Sequence, residues 1–221
     1  GIQQPAQRMG RPRAPLSDLV FSAAMKVYGT LSGRRTASDL RAEEAKGHIA
    51  AAPHYNTVSK YLENPYLTPI LKALIEESAL PLKAIESDFA VDSTGFTTCN
   101  YTRWFDAKHN KQMQEHDWLK VHLMCGVKTN VVTSVEVTAG CMADSPEFVP
   151  LVNRTKAAGF NIQETSADKA YLSKDNVAAV VAVGALPYIP FKSNSTGKGG
   201  ELWQQLYGLF QYKRPEFFAH Y

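Results

Sequence analysis

The sequence predicts an α/β protein in which a small helical region precedes a mixed β-sheet with the element order βββαβαβα. Residues 16–86 repeat apolar side chains at helical spacing, whereas from residue 87 short Val- and Thr-rich runs alternate with single amphipathic helices. The 221 residues, of which 44% are hydrophobic and 20% charged, suffice for one or two packed domains. We therefore expect a helical domain at residues 1–86 and a sheet domain at residues 87–221.

Four helices are predicted in the first region, at residues 16–28, 36–46, 58–64 and 68–78. The second and third, around a tight turn at Pro53 and His54, are typical of a helix-turn-helix. In that arrangement Asn56 and Lys60, at the start of the second helix of the pair, face a DNA major groove. A small helical bundle without a DNA role gives the same pattern.

Positive charge is concentrated at the front of the chain. Residues 1–41 hold seven Lys or Arg and two Asp, a net +5, whereas residues 89–221 hold 13 basic and 12 acidic side chains. This distribution favours a nucleic-acid contact with Arg34 and Arg35 on the phosphates, although a solvated basic arm has the same pattern. No apolar run is long enough for a membrane span, and three Cys without CxxC spacing indicate a cytoplasmic protein with free thiols.

In the sheet region, strands are predicted at residues 89–92, 118–126, 131–138, 162–167 and 186–191, and helices at residues 145–158, 173–183 and 201–210. The turn-forming sequence Ser93-Thr94-Gly95 is expected to end the first strand. Lys120 and His122 alternate with apolar residues, so they either contact DNA phosphate or line a solvated face. Trp118 is expected in the core.

Two carboxylates stand out at strand ends, since Asp92 ends the first strand and Asp168 ends the fourth. A carboxylate beside an apolar strand needs a partner, because burying a lone charge is costly. Two such acids in one sheet can jointly hold a divalent cation such as Mg²⁺. Alternatively, each Asp only caps a turn.

Three blocks resemble the insertion-sequence DDE transposases: Phe89-Ala-Val-Asp-Ser-Thr-Gly-Phe96, Trp118-Leu-Lys-Val-His122 and Ala167-Asp-Lys-Ala-Tyr171. Shorter matches at residues 31–35, 138–148 and 190–192 extend the similarity over most of the chain. The resemblance implies an RNase H-like catalytic domain, in agreement with the element order above. It also implies that Asp92 and Asp168 are the first two acids of an Asp-Asp-Glu triad that binds two Mg²⁺ or Mn²⁺ ions.

The resemblance further implies the reaction and its partners. Double-stranded DNA is cut at the ends of an element, and the freed 3′-hydroxyl then attacks target DNA. Pairing two ends requires a homodimer or larger assembly, which works at the nucleoid of a bacterial cytoplasm. Lys169 is expected to offset the charge of Asp168 or bind phosphate, and Tyr221 matches the tyrosine that the family has at the DNA end.

The third acid of the family follows a pattern of His-Tyr, two residues, Arg, three residues and Glu. His220 and Tyr221 match its start. We therefore expect the third acid beyond Tyr221 and expect this chain alone to be inactive, with Glu201 and Glu216 in structural roles. Two alternatives remain, a related RNase H-like nuclease that cuts without joining and an inactive DNA-binding relict.

Overall fold

The computed structural model describes Met9, residues 13–97, Lys108 and residues 118–221. The chain forms two compact units, Gly1–Ala73 and Leu74–Tyr221, and the boundary falls inside helix α4 (Leu67–Ala79). This division lies before the predicted limit at residue 86, because Ala79 at the end of α4 is buried in the core of the second unit. No helix in the described ranges has both the length and the apolar character needed to cross a membrane.

The first unit is helical, as predicted, with α1 (Leu16–Tyr28), α2 (Gly33–Ala45), α3 (Tyr55–Leu62) and the start of α4. The predicted tight turn is wrong. Residues 46–54 separate α2 from α3, whereas a helix-turn-helix uses a turn of about three or four residues. The buried carboxylate of Asp18 holds this longer connection, since its Oδ2 accepts the backbone N–H groups of Ala50 at 2.9 Å and Ala51 at 3.4 Å.

The second unit contains a five-stranded mixed sheet in the order β3-β2-β1-β4-β5. Its strands are β1 (Asp88–Thr97), β2 (Trp118–Gly126), β3 (Val132–Ala139), β4 (Glu164–Ala167) and β5 (Leu186–Tyr188). Strands β1, β2 and β3 pair antiparallel, whereas β4 pairs parallel with both β1 and β5. The helices are α5 (Ser145–Ala157), α6 (Lys174–Ala182), α7 (Glu201–Tyr212) and α8 (Arg214–Ala219). This architecture confirms the RNase H-like prediction and adds α8 to it.

Strand β1 is longer than predicted, because it continues through Ser93-Thr94-Gly95 to Thr97. Antiparallel pairing with β2 carries it on, with Gly95 opposite Lys120 and Thr97 opposite Trp118. A Cβ atom added to Gly95 would lie 3.3 Å from the indole of Trp118, so the ring packs where a side chain would otherwise stand. Trp118 is nevertheless 55% exposed, and its predicted place in the core is wrong.

The core of the second unit lies between the sheet and its helices. Phe148, Leu151 and Val152 on α5 are fully buried in the same cluster as Val91 of β1 and Met124 of β2. Burying a side chain of this size stabilises the fold by about 1.5–3 kcal/mol. Helix α5 is thus anchored to the antiparallel half of the sheet, and the chain returns from it to form β4 on the other side of β1.

Candidate active site

The two predicted carboxylates lie at neighbouring positions of adjacent strands. In the parallel β1–β4 pair the last partners are Val91 and Ala167, so Asp92 and Asp168 each occupy the next position along the chain. Neighbouring strands are about 4.8 Å apart. Both side chains are exposed to solvent. The predicted adjacency of the two strands is therefore confirmed, and both carboxylates lie just beyond the last β1–β4 pair, where β4 ends and β1 continues.

The local backbone presents each carboxylate differently. Asp92 is in extended conformation, and its Oδ1 accepts the backbone N–H of Ser93 at 2.7 Å. Asp168 precedes a 3-10 turn, Lys169–Tyr171, and its carbonyl accepts the N–H of Tyr171 at 2.9 Å. Its carboxylate makes no capping hydrogen bond to this turn. The alternative role for Asp168, capping the turn with its side chain, is therefore not seen in the structure. Lys169 is exposed beside it.

Tyr221 lies close enough to both carboxylates for their charges to act on it. Partial burial raises the pKa of its phenol, and the negative charges of Asp168 and then Asp92 raise this pKa further. The preceding residue fixes the segment, since His220 Nδ1 lies 3.0 Å from both carboxylate oxygens of Glu164. The His220 ring also stacks on Tyr188, with centroids 4.7 Å apart. Tyr221 thus joins the predicted site.

Lys120 is engaged inside the protein. Its Nζ donates to Asp144 Oδ1 at 2.9 Å and to the carbonyl of Met142 at 3.2 Å. The side chains of Lys120 and Asp144 are 25% and 19% exposed. Two of the three N–H donors of Lys120 are thus used within the protein, and its contact with DNA phosphate stays a prediction.

His122 does not line a solvated face, and the prediction of a direct DNA contact there is wrong for this structure. Its side chain is fully buried, with Nδ1 3.1 Å from the hydroxyl of Tyr171 and Nε2 3.1 Å from Oγ1 of Thr138. Burial lowers the pKa of His122, partly offset by the negative charge of Asp144. A neutral imidazole has one donor and one acceptor, so it satisfies both neighbours at once.

Two buried polar residues near the aspartates had no role in the sequence prediction. Burial raises the pKa of Tyr171 to about 12, and its hydroxyl lies 3.1 Å from Nδ1 of His122. Asn176 Nδ2 donates to the carbonyl of Tyr171 at 2.7 Å and to the carbonyl and hydroxyl of Ser145 at 3.1 Å each. The available signal was that Tyr171 lies in the same sequence block as Asp168.

The remaining predicted DNA contacts lie in the helical unit. Arg34 and Arg35 are exposed in the first turn of α2. Asn56 and Lys60 are exposed one turn apart on α3, so they share a face of that helix. All four side chains are therefore accessible to a ligand of this unit.

The donor set near the carboxylates fits a hard divalent cation. Among the residues described, no three His, Cys, Asp or Glu side chains are grouped so as to hold a metal ion. The candidate ligands are therefore the two carboxylates of Asp92 and Asp168, without a third acidic side chain beside them. Mg²⁺ takes one or two carboxylates and completes its shell with water and phosphate oxygens, so two exposed carboxylates suit Mg²⁺ or Mn²⁺. The two glutamates that were expected to be structural make local contacts. Glu201 accepts from Gln205 at 3.4 Å, and Glu216 pairs with Lys213 at 3.2 Å.

Comparison with known proteins agrees with this arrangement. Residues 83–212 match the family described as the transposase DDE domain, which covers most of the sheet unit. A comparison with curated protein sequences found no match. Among solved structures, the chain is similar to the piggyBac transposase in a synaptic complex with hairpin DNA, at 10% identity and a TM-score of 0.38. That match covers 90% of this chain but 48% of the other, so this chain spans about half its length. On the family match, this chain belongs to the transposase DDE domain family.

Proposed function

We propose that this chain is the core of a DNA transposase that cuts double-stranded DNA at element ends and joins the freed 3′ end to target DNA. The observation that carries the proposal is the register of β1 and β4, which puts Asp92 and Asp168 side by side just beyond the last β1–β4 pair. Family membership supports a transposase role in general. The cleavage and joining steps are our extension of it.

In the proposed reaction, Asp92 and Asp168 hold Mg²⁺ or Mn²⁺ with their carboxylate oxygens. When bound, two such ions stabilise both the attacking and the leaving oxygen of an in-line phosphoryl displacement. The carboxylates fix where the scissile phosphate binds, and phosphoryl transfer asks little else of a protein than positioning and charge neutralisation. Water is the nucleophile in cleavage, and the freed 3′-hydroxyl is the nucleophile in joining. Tyr221 contacts the DNA end in this proposal, and the effect of both carboxylate charges on its phenol supports that role.

The same proposal assigns the helical unit to DNA binding. Arg34, Arg35, Asn56 and Lys60 are exposed there, and the basic front of the chain suits the phosphate backbone. Lys169, exposed beside Asp168, is a further phosphate ligand. Joining two element ends in one reaction requires at least a homodimer, and a chromosomal DNA substrate places the work at the nucleoid of the cytoplasm.

The test uses the full product of the gene, with DNA carrying the inverted repeats that flank that gene. We expect Mg²⁺- or Mn²⁺-dependent nicking followed by strand transfer. Asp92→Asn and Asp168→Asn should each lower the cleavage rate at least about 10³-fold, since each removes several kcal/mol of charge stabilisation. Asp175→Asn, an exposed Asp in the first turn of α6, is the matched control. Cleavage without joining would identify a nuclease, and full activity in either site variant would refute the metal assignment.

A further inference from the structure

Tyr171 lies close to both parts of the sheet that carry the candidate metal ligands. It lies three residues after Asp168, at the end of the 3-10 turn that follows β4. Its hydroxyl lies 3.1 Å from Nδ1 of His122 on β2, and His122 pairs across the β1–β2 ladder with Ser93, the residue that follows Asp92. One side chain therefore holds the turn beyond Asp168 against the strand that pairs with β1 beside Asp92.

We propose that Tyr171 is a positioning residue that fixes the turn after Asp168 against the β1–β2 ladder, and so sets the separation of the Asp92 and Asp168 carboxylates. The inference rests on the proposed function in that it takes these two carboxylates to share a metal ion. It adds a role for a residue that itself touches neither metal nor DNA, because Tyr171 is only 1% exposed.

The tyrosine is held at both ends, as a rigid link must be. Asn176 fixes its backbone by donating to the Tyr171 carbonyl at 2.7 Å. Its ring packs against Phe148, with centroids 5.8 Å apart, and edge-on to His122 at 6.3 Å. The phenol stays protonated at any physiological pH, so its hydroxyl can either donate or accept in the bond to His122.

The surrounding polar groups keep the partners of Tyr171 in place. Asp144 lies at the start of α5, and its Oδ1 accepts from Lys120 at 2.9 Å and from Ser93 Oγ at 3.4 Å. The same oxygen lies 3.7 Å from His122 Nδ1. Ser93 and His122, which pair across the β1–β2 ladder, are thus both next to Asp144, which makes their positions interdependent.

Small changes in separation matter to a shared ion. Mg²⁺–oxygen bonds are about 2.0–2.1 Å long, so the two carboxylates must bring oxygens to within about 3–4 Å of each other. Neither Asp92 nor Asp168 has a side-chain partner that fixes it across the strand boundary in the described part of the chain. The backbone beneath them must supply that precision, and Tyr171 ties the turn after Asp168 to the β1–β2 ladder that contains Asp92.

The experiment compares Tyr171→Phe with the unaltered 221-residue chain. The substitution keeps the ring and removes only the hydroxyl. Tyr207→Phe is the matched control, because Tyr207 lies on α7 and its ring packs on Phe191. The first readout is amide hydrogen exchange by NMR at Tyr171 and Leu172, whose N–H groups close the turn. The second is Mn²⁺ affinity, from the EPR signal of free Mn²⁺.

We expect Tyr171→Phe to speed exchange at these two amides at least about tenfold while the β1–β2 amides keep their rates. We also expect Mn²⁺ to bind about 10-fold more weakly. This is the lower end of the loss in metal affinity that follows when a residue that orients metal ligands is changed. Ser93→Ala, which removes a donor to Asp144 beside His122 and leaves the Tyr171–His122 bond, should shift both readouts less in the same direction. Combined with Tyr171→Phe it should add little.

Each of the other outcomes would overturn either the inference about Tyr171 or the proposed metal site. Unchanged exchange in the turn would refute the positioning role whatever the Mn²⁺ affinity. Faster exchange with unchanged Mn²⁺ affinity would reduce Tyr171 to a structural residue and overturn the inference. Equal acceleration at the turn and throughout the β1–β2 ladder would show general destabilisation and overturn it as well. If the unaltered chain bound no Mn²⁺, the proposed function would lose its metal site, and exchange alone would decide whether Tyr171 holds the turn.

Discussion

The Lys120–Asp144 ion pair gives the sharpest stability prediction, because its loss is coupled to the ionisation of His122. Lys120→Met removes the bond to Asp144 at 2.9 Å and that to the Met142 carbonyl at 3.2 Å. Exposed pairs contribute about 0–1 kcal/mol, whereas breaking a buried pair costs about 3–5 kcal/mol. With side chains 25% and 19% exposed, this pair lies between the two cases, and we expect a loss of about 2 kcal/mol at pH 8.

The loss should be smaller at pH 5.5. In the unaltered protein burial lowers the pKa of His122, with Lys120 lowering it further and Asp144, Glu147 and Glu136 raising it. Its stabilising contribution is therefore present above the unfolded pKa of about 6.5 and is lost as the pH falls. Without Lys120, Asp144 lies 3.7 Å from His122 with no lysine partner, so the pKa of His122 should rise. Once the pKa of His122 in the variant exceeds the unfolded value, protonation of His122 stabilises the variant below about pH 6.5. This stabilisation is lost as the pH rises.

Urea unfolding at pH 5.5 and pH 8, at fixed salt, measures both effects. Lys128→Met is the control, because the Lys128–Asp88 pair has a 3.7 Å separation and is 53% and 33% exposed. We expect it to change stability by less than about 1 kcal/mol at either pH. A Lys120→Met loss that is equal at both pH values, or larger at pH 5.5, would refute the coupling.

Two further predictions concern the buried amide near the site and the basic helical unit. Asn176→Ala leaves the Tyr171 carbonyl and Ser145 without their donor, so urea unfolding should show a loss of about 2–3 kcal/mol, and a loss below about 1 kcal/mol would contradict this. Charge reversal at Arg34 and Arg35 should weaken duplex DNA binding, as measured by fluorescence anisotropy. It should also lower the slope of log affinity against log salt by about 0.9 for each phosphate that is no longer neutralised. Reversal at Lys156 and Lys198 is the control, and equal effects of both pairs would contradict a specific role for α2.

The arrangement of the strands was predictable because it depends on local patterns and on a general rule of connection. Each strand showed a β-rich run, and the helix at Ser145–Ala157 supplied a connection long enough for a parallel crossover. Asp92 and Asp168 lie at strand ends in that pattern, so their adjacency followed from topology alone. The sequence blocks around both residues pointed to the same family that residues 83–212 match.

The errors arose where pairing or packing overrides local preference. Ser93-Thr94-Gly95 is typical of a turn, but pairing with β2 keeps it extended. Alternation in β2 correctly put Lys120 and His122 on one face, but alternation cannot show what covers that face. The cover consists of Asp144 and Tyr171, which come from distant parts of the chain, so no spacing within β2 could have indicated it.

The helical unit shows a related limit. The helices follow from apolar spacing, whereas the connection between α2 and α3 depends on one buried carboxylate, Asp18, which bonds to Ala50 and Ala51 more than 30 residues away. Such a contact leaves no periodic signal. The predicted tight turn at Pro53 and His54 rested on local turn chemistry alone, and the longer connection replaced it.

Mn²⁺ binding to this chain tests the central claim that Asp92 and Asp168 share one ion. We expect Asp92→Asn and Asp168→Asn each to weaken Mn²⁺ binding by at least about tenfold, since an ion that has lost one of two carboxylates keeps only one. The double variant should be little weaker than either single one, because two ligands of one ion are coupled. Asp175→Asn should bind like the unaltered chain. Unchanged affinity in either site variant, or losses that simply add in the double variant, would contradict a shared metal site.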